Sequence, residues 1–189
     1  MVLSVNSTLQ LQAHKLRERF ESSFPFPHLV VEKLFDPDLV QGLVSSFPAF
    51  NPENARNELG EVGQKAVVQD LPNISPAYRQ LDRMIASKEW LQFLGLATGI
   101  PGLLYDPDYV GGGTHENRTG QELDYHVDFN YHPAKKWHRR LNLILFLNSQ
   151  WDEEWGGNLQ LHHDAWSDTG QPDVQVVPRL GRCVIFETS

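Results

Sequence analysis

His126 and Asp128 lie two positions apart in the stretch LDYHVDFN, residues 123 to 130, with the far more apolar LNLILFLN following at residues 141 to 148. Residues two apart on a strand project from the same face, so an imidazole nitrogen and a carboxylate oxygen would enter one cavity as adjacent corners of a metal site. With one more histidine they would form a two-histidine, one-carboxylate triad, which leaves coordination positions open for ligands and oxygen. The tripeptide alone is weak evidence, because a surface His-Asp pair is common. Its surroundings decide how to read it.

The elements that would have to position this pair change character near Pro101. Before it, helices dominate. Ser7 can cap a helix carrying Leu9, Ala13, Leu16 and Phe20, and Asp36-Pro37 and Ser75-Pro76 each place a capping side chain before a proline at the first helical position. A further helix through KEWLQFLGLAT is expected to stop at Gly99, while HLVVEKLF and KAVVQDL read as short strands. After Pro101, the runs GLLY, ELDYHVDF, RRLNLILFLN, GNLQLHH, DVQVVP and RCVIFE are short and β-favouring, separated by Gly, Pro, Asn and Asp. The expected architecture is a single α+β domain over residues 1–189. Helices over 1–100 support an antiparallel jelly roll over 101–189, with LNLILFLN apolar on both faces.

The bulk numbers exclude several functions. Sixteen basic against 24 acidic residues give a net charge of -8, against a nucleic-acid partner. One cysteine, Cys183, forbids an internal disulfide, and no signal peptide or run of about 20 apolar residues is visible. A cytoplasmic protein without a membrane partner is expected, with the sequons at Asn6, Asn73 and Asn117 unglycosylated. The basic run Lys135-Lys136-Trp137-His138-Arg139-Arg140 reads as a solvated turn or a dock for an anionic substrate. Trp151-Asp152-Glu153-Glu154-Trp155 reads as a solvated hairpin turn.

The order of these pieces carries a resemblance. His126-x-Asp128, an Arg-led strand ending in Leu147-Asn148, the hairpin WDEEWGGNL, the strand PRLGRCVIF and the glycine-rich GGGTHENRTG together resemble the prolyl-4-hydroxylase-like branch of the 2-oxoglutarate- and Fe(II)-dependent dioxygenases. The resemblance covers roughly residues 101 to 189. It implies a double-stranded β-helix, Fe(II) held by His126 and Asp128, and 2-oxoglutarate as cosubstrate, with ascorbate as a further cofactor. It also implies hydroxylation of an aliphatic C–H on a prolyl residue, an amino acid or a sugar- or lipid-linked metabolite, with release of succinate and CO2. A small-molecule or peptide substrate is thus expected; the oligomeric state is left open.

The sequence departs from that pattern at its end. The family places a distal histidine, the third iron ligand, and then an arginine for the cosubstrate beyond the P…GR…F strand, and the residues run out at Ser189 before either. The jelly roll is therefore expected to lack its last strands here. His162 or His163 could complete the site; otherwise the chain reads as a non-catalytic binding module derived from the family. Phe146 stands where relatives carry a cosubstrate-binding tyrosine. His115 and Asn142 are the candidates to bind the cosubstrate in its place, while Tyr105 and Tyr109 read as structural. His132 and His138 are expected at the surface or on the substrate. Leu143, Leu145, Leu147, Leu159 and Phe186 are expected to line a dry cavity.

Overall fold

The computed structural model describes residues 12–55, 65–121, 123, 125–164 and 171–188. The cap at Ser7 and the sequon at Asn6 lie outside them. Among the described residues, five α-helices lie before residue 100: α1 (Ala13–Ser22), α2 (Pro37–Ser45), the single turn α3 (Leu71–Ile74), α4 (Pro76–Ile85) and α5 (Lys88–Thr98). The expected caps form. Asp36 Oδ1 accepts from the Asp38 and Leu39 amides at 2.9 and 3.4 Å, and Ser75 Oγ accepts from Tyr78 N at 3.3 Å. Ser87 Oγ takes the Trp90 amide in the same way, and α5 ends at Gly99. Each such cap satisfies an amide that the helix leaves unbonded, worth about 1 kcal/mol.

The strands are β1 (His28–Val31), β2 (Ala66–Val68), β3 (Thr114–Glu116), β4 (Leu141–Leu145), β5 (Leu159–Leu161), β6 (Val174–Val176) and β7 (Cys183–Glu187). They form antiparallel sheets: a three-stranded one in the order β1-β7-β4, and the pairs β2-β3 and β5-β6. The fold is thus mixed α and β with antiparallel sheets.

Register fixes which face of the central sheet meets the helices. Leu29 opposes Ile185 and Val31 opposes Cys183, while Leu143 and Leu145 oppose the same two residues from the other side. Directly opposed residues share a face. Leu29, Val31, Cys183 and Ile185 belong to one apolar core with Leu16 and Phe20 of α1, Leu39 and Leu43 of α2, and Trp90, Phe93 and Ala97 of α5, and Leu143 and Leu145 pack against it. Leu141 and Leu147 pack against that core as well. The opposite face carries Asn142, Ile144, Val184 and Phe186.

Three expectations need correcting. Leu143, Leu145 and Leu147 do not line a cavity on the site side; their alternation sends them to the helical core, and only Phe186 of the central-sheet residues named for that lining lies on the other face. GLLY and ELDYHVDF form no strand among the described residues, whereas the unexpected β3 arises within the glycine-rich segment by pairing with β2. Gly113 explains that pairing. Its φ is +114° and a β-carbon there would lie 2.4 Å from the Val68 carbonyl oxygen, so only glycine permits this approach.

Candidate metal centre

His126 and Asp128 come together without a strand ladder. His126 Nε2 and Asp128 Oδ1 are 3.8 Å apart. Two atoms that each bond a metal at about 2.1 Å can be no more than about 4.2 Å apart, so one ion can bridge this pair. The donor set, one imidazole nitrogen and one carboxylate oxygen, suits a first-row divalent ion.

Asp128 is held from behind. Asn142 on β4 donates from Nδ2 to Asp128 Oδ2 at 3.1 Å, and the Arg139 guanidinium lies 3.5 Å from Oδ1. Arg139 is itself fixed: its guanidinium sits 4.5 Å from the centre of the Phe129 ring, and its amide donates to the Asn130 carbonyl at 2.7 Å. Strand β4 therefore aims Asn142 at the carboxylate while the adjoining loop supplies the cation. Such partners orient a ligating carboxylate and tune its basicity.

Gly111 lets the glycine-rich segment reach this point. At φ +74°, a β-carbon on it would meet the Phe129 ring at 2.7 Å and lie 3.5 Å from Arg139 Nη1. Lys65, Val67, Gln69, Gly111 and His115 line a cavity of about 340 Å³. Burial lowers the Lys65 ammonium below its ordinary pKa, with Asp128 opposing and Arg139 reinforcing the shift. His115 is open at its edge, yet the protein around it and then Lys65 hold its pKa down to about 4, so it is neutral at pH 7. Lys65 carried no signal in the sequence, and Arg139 stood out as the head of a strand and as part of the basic run, not as a partner of Asp128.

The other histidines do not complete the pair. Among the described residues, no His, Cys, Asp or Glu adds a third ligand atom within 4.8 Å of both His126 and Asp128. His163 Nδ1 bonds Asp173 Oδ2 at 2.8 Å, and the His162 ring packs against Tyr125 with centroids 4.3 Å apart. His138 is exposed and stacks on Tyr131. Tyr105 and Tyr109 both donate to Asp82 Oδ1 on α4, the latter at 2.9 Å. Phe146 exchanges backbone hydrogen bonds with Gly181 and Arg182 at 2.9 Å each.

His132 corrects an expectation, for it is buried at 7% exposure. Its Nε2 lies 3.4 Å from Asp106 and 3.6 Å from Asp108, and these three are the one such group of ligand types drawn together among the described residues. Two features argue against a metal there. His132 Nδ1 accepts the Ala134 and Lys135 amides at 3.2 and 3.0 Å, which assigns the ring proton to Nε2, the nitrogen a metal would need. Lys135 Nζ already bridges the carboxylates, 3.1 Å from Asp106 and 2.7 Å from Asp108. The group is a clamp that pins the 132–137 turn to residues 106–108.

Three cations of the basic run are paired, while Lys136, Trp137 and His138 between them are exposed. Lys135 pairs with this clamp, Arg139 with Asp128, and Arg140 with Glu187 at 2.6 Å. The solvated turn expected there holds for its exposed middle, with Lys135, Arg139 and Arg140 tied into ion pairs at its ends.

Comparison with known proteins bears out the resemblance to prolyl-hydroxylase-like oxygenases. Residues 112–189 match the family model of the 2OG-Fe(II) oxygenase superfamily. Among solved structures, one described as "Crystal structure and expression patterns of prolyl 4-hydroxylases from Phytophthora capsici" is 19% identical, with a TM-score of 0.58. That similarity covers 100% of this chain and 59% of the other, so the chain spans little more than half its length. A search of curated proteins returns no match. At this identity the structural likeness speaks for the fold alone. Among the described residues, no helix is long and apolar enough to cross a membrane.

Proposed function

From the match of residues 112–189 to the 2OG-Fe(II) oxygenase superfamily, we propose that this chain carries the iron site of a 2-oxoglutarate-dependent dioxygenase that hydroxylates an aliphatic C–H bond, on a jelly-roll scaffold. The observation that carries the reading is the 3.8 Å approach of His126 Nε2 to Asp128 Oδ1, backed by Asn142 and Arg139.

His126 and Asp128 would hold Fe(II), which supplies the oxidative decarboxylation of 2-oxoglutarate to succinate and CO2 coupled to hydroxylation. The protein's own contribution is placement. Asn142 and Arg139 fix the two oxygens of Asp128, so the carboxylate keeps one orientation while its partner changes. The β4 face beyond Asn142 carries Ile144, with Val184 and Phe186 opposite, an apolar floor below the polar pair. A small-molecule or peptide substrate, such as a prolyl residue, an amino acid or a sugar- or lipid-linked metabolite, suits this reading. A cytoplasmic setting is proposed from the lone cysteine; an ascorbate requirement has no structural support.

A second reading, a non-catalytic jelly-roll module, is favoured by one observation: the pair lacks a third ligand among the described residues. The two are separated by succinate formation. The full chain is incubated with Fe(II), 2-oxoglutarate and O2, and succinate is followed by NMR. Dioxygenase chemistry predicts metal-dependent succinate that His126→Ala abolishes; its absence in a folded, metal-bound parent selects the module.

A further inference from the structure

Asp82 lies on α4, apart from the metal pair in sequence and in element, yet two tyrosines that precede the glycine-rich segment end on it. Its Oδ1 accepts from the Tyr109 hydroxyl at 2.9 Å and from the Tyr105 hydroxyl as well. The two rings meet edge to face, with centroids 5.9 Å apart. Hydrogen bonds to a carboxylate are stronger than those between neutral groups, so Asp82 ties residues 105–109 firmly to the helices. Burial, then the bond to Asp82, pushes the Tyr105 phenol up to about 12, and burial raises Tyr109 too, so both remain donors at neutral pH.

The tied loop leads to the site. Tyr109 has φ +48°, a left-handed conformation that a side-chain-bearing residue keeps only where its surroundings hold it. Gly112 N donates to Tyr109 O at 2.8 Å and Val110 N to Asp106 Oδ2 at 3.0 Å, so residues 106–112 close on themselves. Within that loop, a β-carbon on Gly111 would stand 2.7 Å from the Phe129 ring and 3.5 Å from Arg139 Nη1. Phe129 carries the Arg139 guanidinium 4.5 Å from its ring centre, and Arg139 Nη1 lies 3.5 Å from Asp128 Oδ1. Asp106 and Asp108 of the same loop also hold Lys135, four residues before Arg139. The loop therefore braces the chain on both sides of the Arg139–Asp128 contact, and Asp82 is its anchor in the helices.

We propose that Asp82 is a positioning residue for the metal pair: by holding Tyr105 and Tyr109 it sets the loop against Phe129 and Arg139, and so fixes the orientation of the Asp128 carboxylate. It touches no ligand itself. The inference rests on the reading of His126 and Asp128 as a metal site. Physical contiguity alone does not show coupling, so the test has to measure it.

Mn(II) affinity of the full chain is measured by electron paramagnetic resonance in the parent, Asp82→Ala, Asp82→Asn and Tyr109→Phe, with the Arg139 Nε–H signal followed by NMR in each. Asp82→Ala should weaken Mn(II) about 3- to 10-fold, less than the loss expected of a group that touches the ligand. Asp82→Asn keeps an acceptor oxygen and should restore most of the affinity. Tyr109→Phe, which keeps the ring and loses one hydrogen bond, should weaken Mn(II) about threefold. In an Arg139→Met background, Asp82→Ala should change the affinity no further, because the coupling runs through Arg139.

Parent-like Mn(II) affinity in folded Asp82→Ala overturns the proposal, as does an equal loss in the Arg139→Met background, which would make Asp82 a brace of the fold at large. Should Asp82→Ala fail to fold, Tyr109→Phe decides in the same way. Failure of Mn(II) to bind the parent would instead sink the metal-site reading. The NMR arm needs no metal: an Arg139 signal that neither Asp82→Ala nor Tyr109→Phe moves overturns the proposal in either case.

Discussion

The two faces of the central sheet differ in kind. On one, Leu29, Val31, Leu143, Leu145, Cys183 and Ile185 join the helices in an apolar core, with Cys183 at 0% and Ile185 at 1% exposure. On the other, Asn142 holds Asp128, and the segment bearing His126 turns Tyr125, Val127 and Tyr131 outward at 58%, 73% and 64% exposure. The first face stores stability and the second spends charge. One five-residue strand, β4, serves both by the alternation of its side chains.

This division can be broken from either side. The largest expected effect is at the site: Asp128→Asn should abolish divalent-metal binding, read by Mn(II) electron paramagnetic resonance. Its unfolding midpoint should stay within about 4 °C of the parent, since an open metal site adds little to the core. A large loss of stability with metal binding intact would reverse the roles of the faces. On the other face, Ile185→Ala should cost about 2–5 kcal/mol in denaturant unfolding through the cavity it leaves. The half-buried Leu145→Ala should fall at the low end of that range, and parent-like stability would mean β4 is placed wrongly.

Asn142→Ala sharpens the comparison, because this residue shares a strand with Leu143. Metal affinity should drop about 10- to 100-fold, the usual cost of losing a group that orients a ligand, with unfolding little changed. Equal affinity would show that Asn142 does not act on the site.

The smallest effect concerns the clamp. Burial pushes the Asp106 pKa up, but the Val110 and Asp108 amides and Lys135 outweigh it, leaving the group below the ordinary aspartate value. A depressed carboxylate adds stability above its unfolded pKa and loses it as pH falls through the folded value. Trp137 fluorescence should therefore report loosening of the turn only below about pH 4, and in Asp106→Asn at every pH. A parent that already loosens at neutral pH would contradict the clamp.

Much of this was legible in the sequence wherever the signal was local. Asp36 and Ser75 cap their helices because capping needs only a side chain and an amide two or three residues on. The runs that became β1, β2 and β4 to β7 stood out by composition. What could not be read was pairing and convergence. The period of two in LDYHVDFN suggested a strand, but a ladder needs a partner, and none pairs with it among the described residues. LNLILFLN was apolar on both faces, so nothing local said which leucines met the helices. His132 looked like a loop residue because its burial comes from residues 106 and 108. Lys65, far from His126 in the chain, had no pattern to betray it; only β2 pairing with β3 brings it to the site.

The most direct test of the central claim, that His126 and Asp128 form a working iron site, is anaerobic titration of the full chain with Fe(II) and then 2-oxoglutarate, following the visible charge-transfer band of the chelate. The account predicts a saturable band in the parent that His126→Ala and Asp128→Asn both lose. A folded parent that shows no band, or variants that keep it, would contradict the account.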